Sequence, residues 1–264
     1  MITTRRRILG LIAPAALRAA SLPEQSAAII LEHSFPDIAV SYLAADFRSG
    51  REIASRWPRS HDAAPLGSLV KPFTALAYAE TYGFRFPIVT CDAQSHCWLP
   101  QGHGRMNLVS AIAHSCNAYF LNLARTVDPE ALALVAQRYD LNPPPAQAAP
   151  QTLIGLGFEW QNSPLAMAHA YSELAARASD PGVRSILDGM LLSAREGTGR
   201  GVGAGAYVKT GTAPCIHRPR QMGDGYVIAL YPAAEPRYNL LVRVHGVPGA
   251  RAAWTCGKLR RALV

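Results

Sequence analysis

The two ends of this 264-residue sequence alternate apolar and polar side chains as β-strands do, while its middle repeats them every three to four residues as helices do. Whatever fold it adopts must bring strands from opposite ends of the chain together around a helical insert. Near the start, Glu24 to His33 has helical spacing, Ile38 to Asp46 alternates as a strand, Ser49-Gly50 reads as a turn, and Glu52 to Trp57 returns as a second strand. From Pro65 to about Ala178 helical spacing takes over, in Leu69 to Tyr82, Leu108 to Ala124, Pro129 to Tyr139 and Pro164 to Ala178, with a proline cluster from Pro143 to Pro150. Strands resume at Tyr207 to Thr212, Gly225 to Tyr231 and Tyr238 to His245, and a helix closes the chain from about Ala250 to Leu263. The expected fold is α+β: an antiparallel sheet built from both termini, with a helical lobe inserted over about residues 67–200. One domain, residues 21–264, accounts for it.

Composition excludes several classes. At 49% hydrophobic and 17% charged residues the chain is neither disordered, collagen-like nor a coiled coil. The formal charge of +8 is inflated by Arg5, Arg6, Arg7 and Arg18, so a chain beginning near Ser21 carries only about +4. That excess, without a basic run interleaved with aromatics, does not argue for nucleic acid. The first twenty residues have the layout of a twin-arginine-like export signal: Thr4-Arg5-Arg6-Arg7, an uncharged run from Ile8 to Leu17, then small residues around Ala19-Ala20-Ser21. The run is too short to span a bilayer. The expectation is a soluble exported protein of the periplasm or cell envelope, anchored to the membrane only if the signal is retained.

Of the 26 basic residues only three are lysine: Lys71, Lys209 and Lys258. An amine can lose its proton near neutral pH when desolvated and a guanidinium cannot, so a scarce lysine invites a chemical reason. Lys71 lies one helical turn after Ser68 in Gly67-Ser68-Leu69-Val70-Lys71-Pro72, where an unprotonated amine can activate a serine nucleophile. Lys209 opens Lys209-Thr210-Gly211-Thr212 on an expected strand edge, a pattern suited to a carboxylate and a substrate docking beside the strand. Between them, Ser115-Cys116-Asn117 interrupts a helical run; Ser115 can relay a proton and the Asn117 amide can orient Lys71 and bind a carbonyl. Each pattern alone is more often a capped helix, a bend or a strand end. Their conjunction in this order carries the weight.

The five cysteines, Cys91, Cys97, Cys116, Cys215 and Cys256, cannot all pair within one chain. Cys91 and Cys97 are close enough for a disulfide; unpaired thiols, or a metal site with His96 or His103, are the alternatives. Cys116 reads as a small apolar filler or as a redox-sensitive thiol beside the motif.

The three motifs together resemble those of penicillin-recognising acyltransferases. The segments Gly102-His103-Gly104, Gly155-Leu156-Gly157, Asp188-Gly189-Met190, Glu196-Gly197-Thr198 and Asp224-Gly225-Tyr226 extend the resemblance to the transpeptidase domain of class B penicillin-binding proteins, from about Ile38 onward and without the N-terminal pedestal such proteins usually carry. The resemblance implies an acyl-enzyme on Ser68 formed from the D-Ala-D-Ala end of a peptidoglycan stem peptide, or from a β-lactam antibiotic. It implies Lys71 as base, Ser115 and Lys209 as proton relay, and Asn117 beside the substrate carbonyl. Backbone amides of Ser68 and Thr212 would form the oxyanion hole, and Lys209, Thr210, Gly211 and Thr212 would make the carboxylate-binding edge. No metal or organic cofactor is needed for that chemistry. Two alternatives remain: a class D-like serine β-lactamase, against which the polar Asn117 speaks, and a non-catalytic β-lactam or peptidoglycan sensor. A class A β-lactamase needs a water-activating glutamate, and Glu159-Trp160-Gln161-Asn162 has the wrong spacing for it.

Overall fold

The structure, a computed structural model, describes residues 22–34, 40–215 and 223–263. The expected export signal lies outside the described residues, as does the beginning of the strand expected from Ile38. Along the chain, α1 (Leu22–Ser34) precedes the hairpin of β1 (Val40–Asp46) and β2 (Glu52–Ser55), whose turn is fixed by Asp46 Oδ1 accepting from the Ser49 amide at 2.8 Å. Next come β3 (Ala64–Pro65), a 3₁₀ turn at Gly67–Val70, α2 (Lys71–Thr81), β4 (Val89–Cys91), β5 (Gly104–Met106), α3 (Leu108–His114), α4 (Asn117–Ala124), α5 (Pro129–Arg138), α6 (Pro150–Leu153), β6 (Gln161–Asn162), α7 (Pro164–Ala176) and α8 (Val183–Arg195). After a short 3₁₀ turn the chain closes with β7 (Tyr207–Ala213), β8 (Asp224–Tyr231), β9 (Tyr238–Val244) and α9 (Gly249–Leu263).

The main sheet has the order β2-β1-β9-β8-β7 and is antiparallel throughout. Strands from the two ends meet where β1 pairs with β9, Leu43 facing Leu241. The pleat sends alternate residues to opposite faces and so builds two cores. Ile228 and Leu241 pack with Leu69, Phe73, Ile112 and Tyr171 of the helical lobe, whereas Val227, Ala229, Leu240 and Val242 pack against Ala27, Leu31, Ala253 and Cys256 of α1 and α9. The result is the expected α+β architecture in three layers. Strand β7 lies at one edge of the sheet, free on one side for what the lobe presents to it.

Local chemistry sets the helix starts. Asn107, Asp128 and Ser163 cap α3, α5 and α7 by accepting from backbone amides, and α2, α5, α6 and α7 carry proline in the first turn, where its missing donor costs nothing. Three details add to what the sequence shows. Residues 108–124 form two helices that part at the expected interruption, where Ser115 adopts a left-handed backbone (φ 51°, ψ 41°) that ends α3. Residues 183–195, to which the sequence assigns no helix of their own, form α8, with Gly189 so close to α3 that a Cβ there would lie 2.6 Å from Ile112 Cβ. All five cysteines are free thiols, so Cys91 and Cys97 are not bridged. Among the described residues no helix is long and apolar enough to cross a membrane.

Candidate active site

Three separate elements converge at the lobe-facing edge of β7. The first is the 3₁₀ turn carrying Ser68, which is held by glycines at close range. A Cβ on Gly67 (φ 59°) would lie 2.3 Å from the Thr212 carbonyl oxygen, one on Gly211 would lie 2.5 Å from Leu66 O, and one on Gly155 would lie 2.1 Å from Gly67 O. The turn is thus clamped between β7 and the chain at Gly155, and Tyr171 Oη donates to Leu69 O at 2.7 Å from beneath. Ser68 keeps 8% of its surface open.

Lys71 starts α2 directly after this turn and is fully buried. Its Nζ donates to Asn117 Oδ1 at 2.6 Å and to Ser115 O at 2.9 Å, lies 3.5 Å from Ser115 Oγ, and sits 5.3 Å from the centre of the Phe120 ring. Burial pushes its pKa down to about 7, against an opposing effect of Cys116 and Cys97. A neutral amine has two hydrogens and one lone pair. Here Asn117 and the Ser115 carbonyl take the two hydrogens, which leaves the lone pair for a hydroxyl. No hydrogen bond joins Lys71 to the Ser68 hydroxyl among the described residues.

The reversal at Ser115 is the second element. By ending α3 and starting α4 two residues later, it turns both Ser115 and Asn117 toward Lys71. The third is β7, from which buried Lys209 donates to Ser115 Oγ at 2.9 Å and to Thr210 O at 2.6 Å. Burial, and secondarily the charge of Lys71, pulls the Lys209 pKa well below its usual value. One serine hydroxyl therefore lies between two desolvated amines.

The structure thus brings Lys71, Ser115, Asn117 and Lys209 into one hydrogen-bonded cluster, with Ser68 one turn before Lys71 and Gly211 against the Ser68 turn. The threonines are less free than the sequence suggests. Thr210 Oγ1 donates to Thr198 Oγ1 at 2.6 Å, which in turn donates to Ala113 O at 3.2 Å; exposed Thr212 accepts from the Gly249 amide at 2.9 Å. Sequence reasoning assigned no part to Thr198, although it belongs to the quoted Glu196-Gly197-Thr198 segment. It also gave no part to Trp98, whose Nε1 donates to Ser115 O at 3.2 Å.

Metal-ligating side chains gather in two places among the described residues: Cys91, Cys97, His103 and Cys116 behind the Ser115 turn, and Cys215, Asp224 and His245 at the start of β8. In the second group His245 Nδ1 and Asp224 Oδ1 are already a 2.8 Å pair. His96, the other histidine considered beside the cysteines, is exposed and stands apart.

The family described as "Penicillin binding protein transpeptidase domain" matches residues 58–255, most of the chain. Solved structures share the fold. PBP2 of Pseudomonas aeruginosa in complex with WCK 5153 superposes with a TM-score of 0.76 at 19% identity, over 90% of this chain and 74% of that one. The complex of PBP2 and MreC from Helicobacter pylori gives 0.75 at 17% identity, over 91% and 62%. The D,D-transpeptidase domain of a peptidoglycan glycosyltransferase from Eggerthella lenta gives 0.74 at 17%, over 92% and 81%. No curated protein matches the chain in sequence.

Proposed function

From membership of the penicillin-binding protein transpeptidase family, to which this chain belongs, we propose that it is a serine acyltransferase acting on the D-Ala-D-Ala ends of peptidoglycan stem peptides, as a DD-transpeptidase or DD-carboxypeptidase, and that β-lactams acylate it. The observation that carries this reading is Lys71: a fully buried amine with its pKa lowered to about 7, its hydrogens directed to Asn117 and the Ser115 carbonyl, one turn from Ser68. A base poised near the working pH transfers protons most effectively.

In the proposed reaction the Ser68 hydroxyl attacks the carbonyl between the two terminal D-alanines while Lys71 accepts its proton. The backbone amides of Ser68 and Thr212 stabilise the oxyanion. As the carbon–nitrogen bond breaks, Ser115 hands a proton to the departing D-alanine amine and is re-protonated from the lysine pair, since its Oγ touches both amines. An ester on Ser68 remains, to be resolved by an acceptor amine, giving a cross-link, or by water, giving trimming. A bound substrate carboxylate favours the protonated form of the otherwise desolvated Lys209, which with the exposed Thr212 at the end of the strand holds it. Thr210, whose hydrogen is given to Thr198, supports the strand in preference to donating outward. The proposed site of action is the cell envelope, where peptidoglycan lies.

Intact mass followed over time in a mixture of the protein with a penicillin tests this. A long-lived adduct of one drug mass that is absent from Ser68→Ala is the expected result. Drug turnover with only a transient adduct, quickened by bicarbonate, would replace the reading with a β-lactamase carrying a modified Lys71. No adduct at all would leave the sensor alternative.

A further inference from the structure

Three sulfurs and an imidazole nitrogen meet directly behind the turn that carries Ser115 and Asn117. Cys91 Sγ and Cys97 Sγ lie 3.5 and 3.6 Å from His103 Nδ1, Cys97 Sγ lies 4.0 Å from Cys116 Sγ, and all four donor atoms are within 4.8 Å of one another. A tetrahedron with metal–sulfur bonds of about 2.3 Å and a metal–nitrogen bond of about 2.0 Å has edges of roughly 3.5 Å between nitrogen and sulfur and roughly 3.8 Å between sulfurs. These three separations match those edges. A disulfide would need its sulfurs at about 2.05 Å.

The donors come from four points of the chain that the fold has to work to unite. Cys91 ends β4, Cys97 lies in the loop that follows, His103 immediately precedes β5, and Cys116 is the residue before α4. Gly102 (φ 78°) makes the closure possible: a Cβ there would lie 2.3 Å from Cys91 O, so only glycine lets the second strand of this ribbon come down on the first and set His103 beside Cys91. Cys91 and Cys116 are 1% and 0% exposed, which leaves the centre of the cluster dry.

We propose that Cys91, Cys97, His103 and Cys116 bind one zinc-type divalent cation in a closed tetrahedral site, and that this knot fixes the Ser115–Asn117 turn. On binding, the three thiols release their protons to solvent and His103 coordinates as neutral imidazole. With four protein ligands no position is left for substrate or water, so the cation is structural and stays outside the acyl-transfer chemistry. Its reach into the active site is mechanical. Cys116 separates the two polar residues that contact Lys71. Trp98, next to Cys97, donates to Ser115 O at 3.2 Å, the same carbonyl that takes Lys71 Nζ at 2.9 Å. The turn so held includes the left-handed Ser115 backbone, which an L-residue adopts at a cost.

The positioning half of the proposal rests on the reading of Ser68, Lys71 and Ser115 given above; the metal-binding half does not. The first experiment measures zinc in the full chain purified without chelator, then strips it and adds cobalt. Close to one equivalent of zinc, and a cobalt spectrum with thiolate charge-transfer and tetrahedral d–d bands, are expected. Cys91→Ala and His103→Ala should lose both signals, and Cys256→Ala, outside the cluster, should keep them. The wild-type measurement decides even if the ligand variants fail to fold: no zinc and no tetrahedral cobalt spectrum, or a cysteine pair within the cluster found two hydrogens short, overturns the site. In the second experiment, stripping should slow penicillin acylation at least tenfold and zinc should restore it. Unchanged acylation of the stripped protein overturns the positioning role, whereas failure of the zinc-loaded protein to acylate at all counts against the Ser68 reading instead.

Discussion

Lys71 and Lys209 share one partner, the Ser115 hydroxyl, and both are buried where a charge is costly. The sign of the resulting pH dependence follows. In the proposed reaction only neutral Lys71 can take the Ser68 proton, and its pKa is lowered to about 7. The acylation rate with a penicillin should therefore climb as pH rises through about 7 and fall away on the acid side; a profile flat across that range by stopped-flow or quench mass spectrometry would remove Lys71 as the base. Lys71→Arg keeps the charge and loses the base, so acylation should drop by about 10²–10⁴-fold, read by adduct formation over time. These residues were legible in the sequence because lysine is scarce in it and its two informative lysines sit in motifs. The direction of the Thr210 hydroxyl was not legible, since it depends on Thr198, which comes alongside only when the turn after α8 packs against β7. Of the cysteine cluster, Cys91, Cys97 and His103 could be put together as one alternative, but the choice of His103 over His96 and the arrival of Cys116 needed the ribbon β4–β5 to be seen.

At the scale of elements, the active site is held by contacts too close for side chains. Helices α3 and α8 touch at Gly189, where a Cβ would come within 2.7 Å of Val109 O as well as striking Ile112. Gly189→Ala should cost about 1–3 kcal/mol of stability by overpacking, seen as a lower melting temperature, with the site's chemistry affected only through α3. The hydrogen-bond chain from Thr210 through Thr198 to Ala113 O ties the edge strand to the end of α3. Thr198→Val should slow acylation and Thr198→Ser should restore most of it; equal rates in the two variants would show that the hydroxyl does not position the strand. Helical periodicity alone revealed most of the lobe. It failed at α8, which carries a glycine in mid-helix for the sake of its neighbour, so that packing against another element overrides the local pattern. At residues 108–124 periodicity runs on across the break, and the polar Ser115-Cys116-Asn117 motif is what marked it.

For the whole molecule, the pattern of strands at both ends anticipated the sheet correctly, but the strand order came only with the structure: alternation says which residues share a face, not which strand lies beside which. The outer core depends on α9, whose Ala253, Cys256 and Leu259 cover Val227, Ala229, Leu240 and Val242. Truncation before Gly249 should leave that sheet face open to water and abolish soluble, folded protein, measured by yield and far-ultraviolet circular dichroism; a folded, penicillin-binding product would show the helical lobe to be self-sufficient. The pairing of β1 with β9 also sets a timetable. During synthesis the Ser68 turn and the lobe emerge long before β7, β8 and β9, so β1 waits until the whole lobe has been made before it has its partner. The Ser115 hydroxyl likewise meets Lys209 only late. In the proposed reaction the site is thus complete only once β7 has been made and paired, and a chain cut short of its final strands would lack Lys209 beside Ser115.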